Sequence, residues 1–331
     1  MKSMKSIICK LGGKIVYCKQ TYLKNVKYNN QLISMKSIDS FSLSSKVKNY
    51  LHNNIRESVI GAIVNKKIPE EYYDNCDTWF NMRENINIYL TNLSHYKDSS
   101  TSSTIELVHK GGRKYNYDFE TILSINNIVI YDKIEFKYNC DTMTKSPQIV
   151  SPMKMSKYLS QNFEEYYYDH YLIKLFNFVN LIPPCKKTYI NQIHGTKPLC
   201  LQTLQELYYS GCSKSIYYNE NNIQAIEFYN FSKKNSKEAF KTFIQQTDLD
   251  ISRLSKYLIK SQEKKNYMLY KNSKFFFETI NKETFNIISY TKNENKSRYE
   301  CLTESGLTLN VLLRWKNGNG ITFPCFQISI K

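Results

Sequence analysis

Residues Asn116–Tyr138 read NYDFETILSINNIVIYDKIEFKY, two alternating stretches on either side of Asn126-Asn127. An asparagine-rich two-residue turn between β-branched runs is a hairpin signal. With the turn centred on that pair, facing residues carry numbers that sum to 253. Asp118 then lies directly across from Glu135, with Lys137 two residues along on the same face. Phe119, Thr121 and Leu123 fall opposite Ile134, Asp132 and Ile130, and Phe136 and Tyr138 continue that side. One face therefore reads as core, and the other presents Asp118, Glu120, Lys133, Glu135 and Lys137. A solvated surface hairpin carries the same alternation, so the pattern alone leaves both readings open.

Two carboxylates and a lysine on one face suit a divalent metal and a water that attacks a phosphodiester. Mg²⁺ takes hard oxygen ligands, typically one or two carboxylates completed by water and phosphate oxygens. The ion polarises the phosphate and acidifies a bound water. A lysine beside it orients that water or stabilises charge growing on phosphorus, and a general-base role is the weaker alternative.

The constellation Asp118 with Glu135-Phe136-Lys137 resembles the PD-(D/E)XK, restriction-endonuclease-like nuclease superfamily. The resemblance spans roughly residues 45 to 180 and implies a mixed central sheet flanked by helices, around an Mg²⁺ or Mn²⁺ centre that hydrolyses DNA. It makes Asp118 and Glu135 metal ligands and places Lys137 beside the attacking water. Glu57, in RESVIGAIV, takes the order in the chain of an upstream helical acid, and Gln148 that of a polar residue some members hold near the site. Tyr117 stands where the namesake motif has proline, and E-x-K recurs at Glu263–Lys265 and Glu294–Lys296. Only the copy at 135 sits on a strand with an opposing acid. There is also a looser likeness to uncharacterised nuclease-like proteins of large DNA viruses, which bears on origin more than on chemistry.

The 331 residues carry 46 Lys+Arg against 29 Asp+Glu, a net +17. Such an excess favours an anionic partner, nucleic acid more often than membrane, although a very AT-rich genome would also encode it; DNA over RNA is what the nuclease resemblance implies. Lys110, Arg113 and Lys114 enter the first hairpin strand and are candidate phosphate contacts. Arg314 and Lys316 flank Trp315, a pairing that single-strand binders use, yet Trp315 shares its side with Leu309, Val311 and Leu313 and reads as core. Lysines at 233, 234, 237 and 241, and at 256, 260 and 264, form helical stripes best read as solvated faces.

Nine cysteines without C-x-x-C spacing point to reduced thiols in a cytosolic or nuclear compartment, or in host cytoplasm for a viral protein. The five histidines, His109 among them, show no metal-ligand spacing. The apolar runs are too short to span a bilayer, and no membrane association is expected. A two-strand cut would favour a homodimer.

The expected organisation is a basic N-terminal arm over 1–40, a nuclease-like core over 41–182 and an α+β region over 183–331, either continuous with the core or separate from it, with Pro183-Pro184 as the clearest boundary. Helices are expected from Ser44 to Asn65, Trp79 to Leu90, Met155 to Asn180, Leu199 to Ser210, Ser236 to Gln246 and Leu249 to Lys265. Strands are expected at 105–108, 226–229 and 266–280, with a hairpin over Leu309–Ile330 turning at Asn317-Gly318-Asn319-Gly320. The class is α/β with a mixed sheet and an α+β C-terminal elaboration.

Overall fold

The computed structural model describes residues 6–11, 14–19, 23–43, 49–93, 104–111, 115–125, 128–152, 154–195 and 198–331, with backbone alone for 6–19 and 49–50. The chain forms two compact units. The first comprises Met1–Asp141 and Asn266–Phe277, the second Thr142–Lys265 and Glu278–Lys331.

The first unit begins with two short hairpins, β1 (Ser6–Leu11) with β2 (Lys14–Lys19) and β3 (Val26–Tyr28) with β4 (Gln31–Ile33). Helices α1 (Asn49–Val64), α2 (Glu70–Asp74) and α3 (Asp77–Thr91) follow. A five-stranded sheet then forms in the order β5 (Thr104–His109), β6 (Phe119–Ile125), β7 (Ile128–Tyr138), β8 (Lys265–Lys271), β9 (Lys274–Thr279). β5, β6 and β7 run antiparallel. β7 and β8 end side by side, with Cys140 N–H donating to Tyr270 O, the alignment of a parallel pair. The sheet is mixed. The whole segment Thr142–Lys265 forms the crossover between those two strands.

The hairpin register is the one read from the sequence: Phe119 faces Ile134, Thr121 faces Asp132 and Leu123 faces Ile130. The apolar side is core. Phe119, Ile134 and Phe136, with Leu107, Met268 and Tyr270 on neighbouring strands, pack against Val59, Ile60 and Ile63 of α1 and Trp79, Met82 and Ile86 of α3. β8 does not alternate. Tyr267, Met268, Leu269 and Tyr270 are all buried, as befits an interior strand covered on both faces.

Part of the segment read as a basic arm contributes to this unit's core: Ile33 and Ile38, with Phe41 just beyond, are buried in one cluster with the apolar residues of α1 and α3. Arg56 ties this segment to α1. Its fully buried guanidinium donates to Ser40 O at 2.8 and 2.6 Å and to Leu43 O at 3.1 Å, and stacks 3.4 Å over the Tyr138 ring. Burial lowers its pKa, but an arginine keeps its charge, and those carbonyls supply the acceptors it needs.

β5 is an edge strand, and a side chain takes the place of the missing neighbour. Asn65, just past α1, accepts the Leu107 N–H at 2.8 Å and donates to Leu107 O at 2.8 Å. Both backbone groups of one edge residue are thus satisfied, and the helix is pinned to the strand. Asn65→Ala strands the Leu107 N–H and leaves Leu107 O with only the Tyr28 hydroxyl at 3.3 Å, and should cost about 1–3 kcal/mol. Urea unfolding would measure it; a midpoint matching wild type would refute the pinning role.

The second unit carries α4 (Phe163–Tyr167) and α5 (Ile173–Phe178), joined by a π turn over Tyr168–Leu172. α6 (Lys186–Gln192), α7 (Gln202–Gly211), α8 (Ile223–Gln246) and α9 (Ile251–Ser261) follow. An antiparallel meander of β10 (Ile287–Asn293), β11 (Arg298–Thr303), β12 (Thr308–Asn317) and β13 (Thr322–Ile330) completes it. Trp315 is core, packed on Phe163, Tyr167 and Phe240. The β12–β13 turn holds Gly318 at φ 79° and Gly320 at φ 78°, which glycine adopts without strain.

Three expectations are corrected here. Residues 226–229 are helical, because Ala225, Phe228, Ser232, Asn235 and Ala239 recur at helical spacing and bury one continuous face of α8. α9 ends at Ser261, and Lys265 already belongs to a strand. Pro183-Pro184 links α5 to α6 inside one unit, whereas the division between units falls at 141/142, 265/266 and 277/278.

No helix among the described residues is long and apolar enough to cross a membrane, and no disulfide occurs among them.

Candidate active site

Asp118 stands at the mouth of β6, where the ladder runs out. Its N–H donates to Ile134 O at 2.9 Å, and its carbonyl accepts from Lys110 N–H at 2.7 Å. One residue further along β7, the Phe136 N–H has passed the last backbone partner on β6, and Asp118 Oδ2 accepts it at 2.8 Å. The side chain is therefore fixed by the strand end itself.

Glu135, next to Ile134 on β7, has only 9% of its surface exposed. Lys137 reaches back along the same face to place Nζ 2.5 Å from Glu135 Oε1, and each of these two side chains is only 11% exposed. Such enclosure decides a point the sequence left open, since a solvated hairpin face would leave these groups in water. Taking an acid and a lysine out of water is costly unless they pair or serve another ion.

Glu57 comes from α1. Its Oε2 lies 2.8 Å from His109 Nε2, and its charge is felt at Asp118. Burial pushes the Asp118 carboxyl well above the usual range; Glu135 and then Glu57 push it the same way, while Lys137 and the Phe136 N–H pull it back. For Lys137, burial works against the charge, but the Glu135 and Asp118 carboxylates outweigh it and the pKa rises. Lys137 is therefore an ammonium, suited to charge stabilisation more than to proton abstraction.

Two further acids act on Asp118, against one lysine, and leave surplus negative charge around it. A divalent cation relieves that crowding, and the oxygen-only donors suit Mg²⁺ or Mn²⁺ over softer metals. Among the described residues, no three His, Cys, Asp or Glu side chains stand ready to hold an ion by themselves. The donor set fits a two-carboxylate Mg²⁺ site that water and phosphate oxygens complete.

The remaining candidates are placed as follows. Lys110 pairs with Glu120 at 3.0 Å on the hairpin. Arg113 and Lys114 lie outside the described residues. Gln148 belongs to the second unit, where its Oε1 accepts from Ser151 Oγ at 3.1 Å. Arg314 and Lys316 are exposed on β12, also in the second unit, and Arg314 donates to Gln327 Oε1. The first unit thus brings together Asp118, Glu135, Lys137 and Glu57.

His109 is the residue that sequence reasoning missed. Read as one of five histidines without spacing, it became part of the site only through the β5–β6 register, which sets it opposite Phe119 and next to Asp118. No family model matches the chain, and no curated protein matches it in sequence.

Proposed function

We propose that the protein is a metal-dependent nuclease that hydrolyses phosphodiester bonds in DNA, on a restriction-endonuclease-like core. One observation carries this reading: at the end of a mixed sheet Glu135 is enclosed with Lys137 upon it, and both Glu135 and Glu57 stand close enough to raise the Asp118 pKa. Asp118 and Glu135 would hold Mg²⁺ or Mn²⁺, which supplies the activated water and polarises the phosphate. The Lys137 ammonium would stabilise the charge that develops on the phosphoryl oxygens. The net +17 charge would provide non-specific affinity that weakens with salt.

The test is purified protein with linear and supercoiled DNA, in Mg²⁺ or Mn²⁺ against EDTA, with Asp118→Ala alongside. Cleavage should require metal and vanish in the variant while binding persists. Equal cleavage by Asp118→Ala would sink the site assignment. Salt-sensitive binding without cleavage in either metal would favour the second reading, a non-catalytic DNA-binding protein on a degenerate nuclease fold.

A further inference from the structure

His109 has no part in the chemistry above, yet three neighbours hold it. It closes β5 opposite Phe119 in the ladder, and its ring meets the Phe119 ring edge-on at 5.6 Å. Its Nε2 engages Glu57 Oε2 at 2.8 Å, with the two side chains 23% and 14% exposed. The chain then folds back over the ring at Gly111, where φ is 20° and a Cβ would stand 2.9 Å from His109 Cε1. An ionised carboxylate only accepts, so Nε2 carries the proton in this contact.

We propose that His109 is a positioning residue for the metal centre: it holds Glu57 in place so that the helical acid's charge stands ready beside the two strand carboxylates that would take a divalent cation. This rests on the metal-dependent reading above. A glutamate on a helix has several rotamers, and a cation must otherwise order it at binding. A partner on one oxygen removes that freedom in advance, and loss of such partners typically weakens metal affinity about 10–100-fold. Glycine at 111 fits this arrangement, since both its φ of 20° and the ring 2.9 Å from a Cβ disfavour a side chain there.

Mn²⁺ titration followed by electron paramagnetic resonance tests this without reference to cleavage. His109→Ala should bind Mn²⁺ about tenfold more weakly. His109→Gln, which keeps an N–H donor, should recover most of the loss. Gly111→Ala, which displaces the ring without removing it, should weaken binding in the same direction. The double variant Glu57→Ala/His109→Ala should bind no more weakly than Glu57→Ala, because His109 acts through Glu57. Wild-type affinity in His109→Ala, or additive losses in the double variant, would overturn the proposal. So would a nitrogen coupling on bound Mn²⁺ that disappears in His109→Ala, because His109 would then be a ligand. Wild-type protein that binds no Mn²⁺, or binds it equally after Asp118→Ala, removes the metal reading itself and this inference with it. Thermal melts on the same samples exclude misfolding as the cause.

Discussion

Glu135→Gln is expected to reduce DNA cleavage on the order of 10³-fold or more, the largest functional effect in this protein. The change keeps the shape of the side chain and removes its charge. In the proposed site a neutral amide would leave Asp118 alone to hold the cation, and it leaves Lys137 without its closest counter-charge. The second consequence complicates the first. With each partner only 11% exposed, removing one member of the pair is expected to cost about 3–5 kcal/mol of stability. Loss of cleavage in Glu135→Gln alone would therefore be ambiguous.

The double variant Glu135→Gln/Lys137→Met separates the two effects. Replacing both members of a buried pair by neutral groups of similar volume is often neutral for stability. The double variant should melt close to wild type and remain inactive, with DNA binding retained. Recovery of cleavage together with stability would show that the pair only supports the fold, and the catalytic assignment would fall. Asp118→Asn offers an independent check, since its carboxylate is anchored by a backbone N–H and not by Lys137.

Gly211→Ala should give the largest loss of stability from a single methyl group, whatever the protein does. Gly211 ends α7 where it packs against the first turn of α8. A Cβ there would fall well inside van der Waals contact of Ala225 O and C, and 2.8 Å from Ile226 N. These are backbone atoms within a helix, so neither can swing aside. Separating the helices would expose Ala225 and Phe228, both fully buried. A cost of about 3 kcal/mol or more follows, roughly a 10 °C fall in Tm. Gly61 is the contrast: a Cβ there meets the ring end of Tyr28, at 2.7 Å from the hydroxyl, and a side chain can yield. Gly61→Ala should cost visibly less. A Tm for Gly211→Ala within about 2 °C of wild type would contradict the close approach of α7 and α8.

Elements governed by local chemistry were legible in the chain. The hairpin register followed from a two-residue turn and strict alternation, and it aligned Phe119 with Ile134, the neighbours of the two acids. α1 and α3 followed from apolar stripes, and the β12–β13 turn from its glycines, which tolerate positive φ. Residues 226–229 failed because a short apolar run suits a strand or a helix equally; what chose the helix was the face that continues to Phe243. The boundary at Pro183-Pro184 failed because proline stops a helix without ending a packed unit.

Glu57 and His109 lie 52 positions apart, and nothing in the spacing connects them. They meet because Asn65 fastens α1 to edge strand β5 and because the β5–β6 register sets His109 beside Asp118. Sequence alone determined which acids share a strand pair, since strand geometry has a period of two residues. Only tertiary packing decided that those acids are enclosed, that a helix adds a third, and that a histidine holds it, because burial and charge crowding arise between elements distant in the chain.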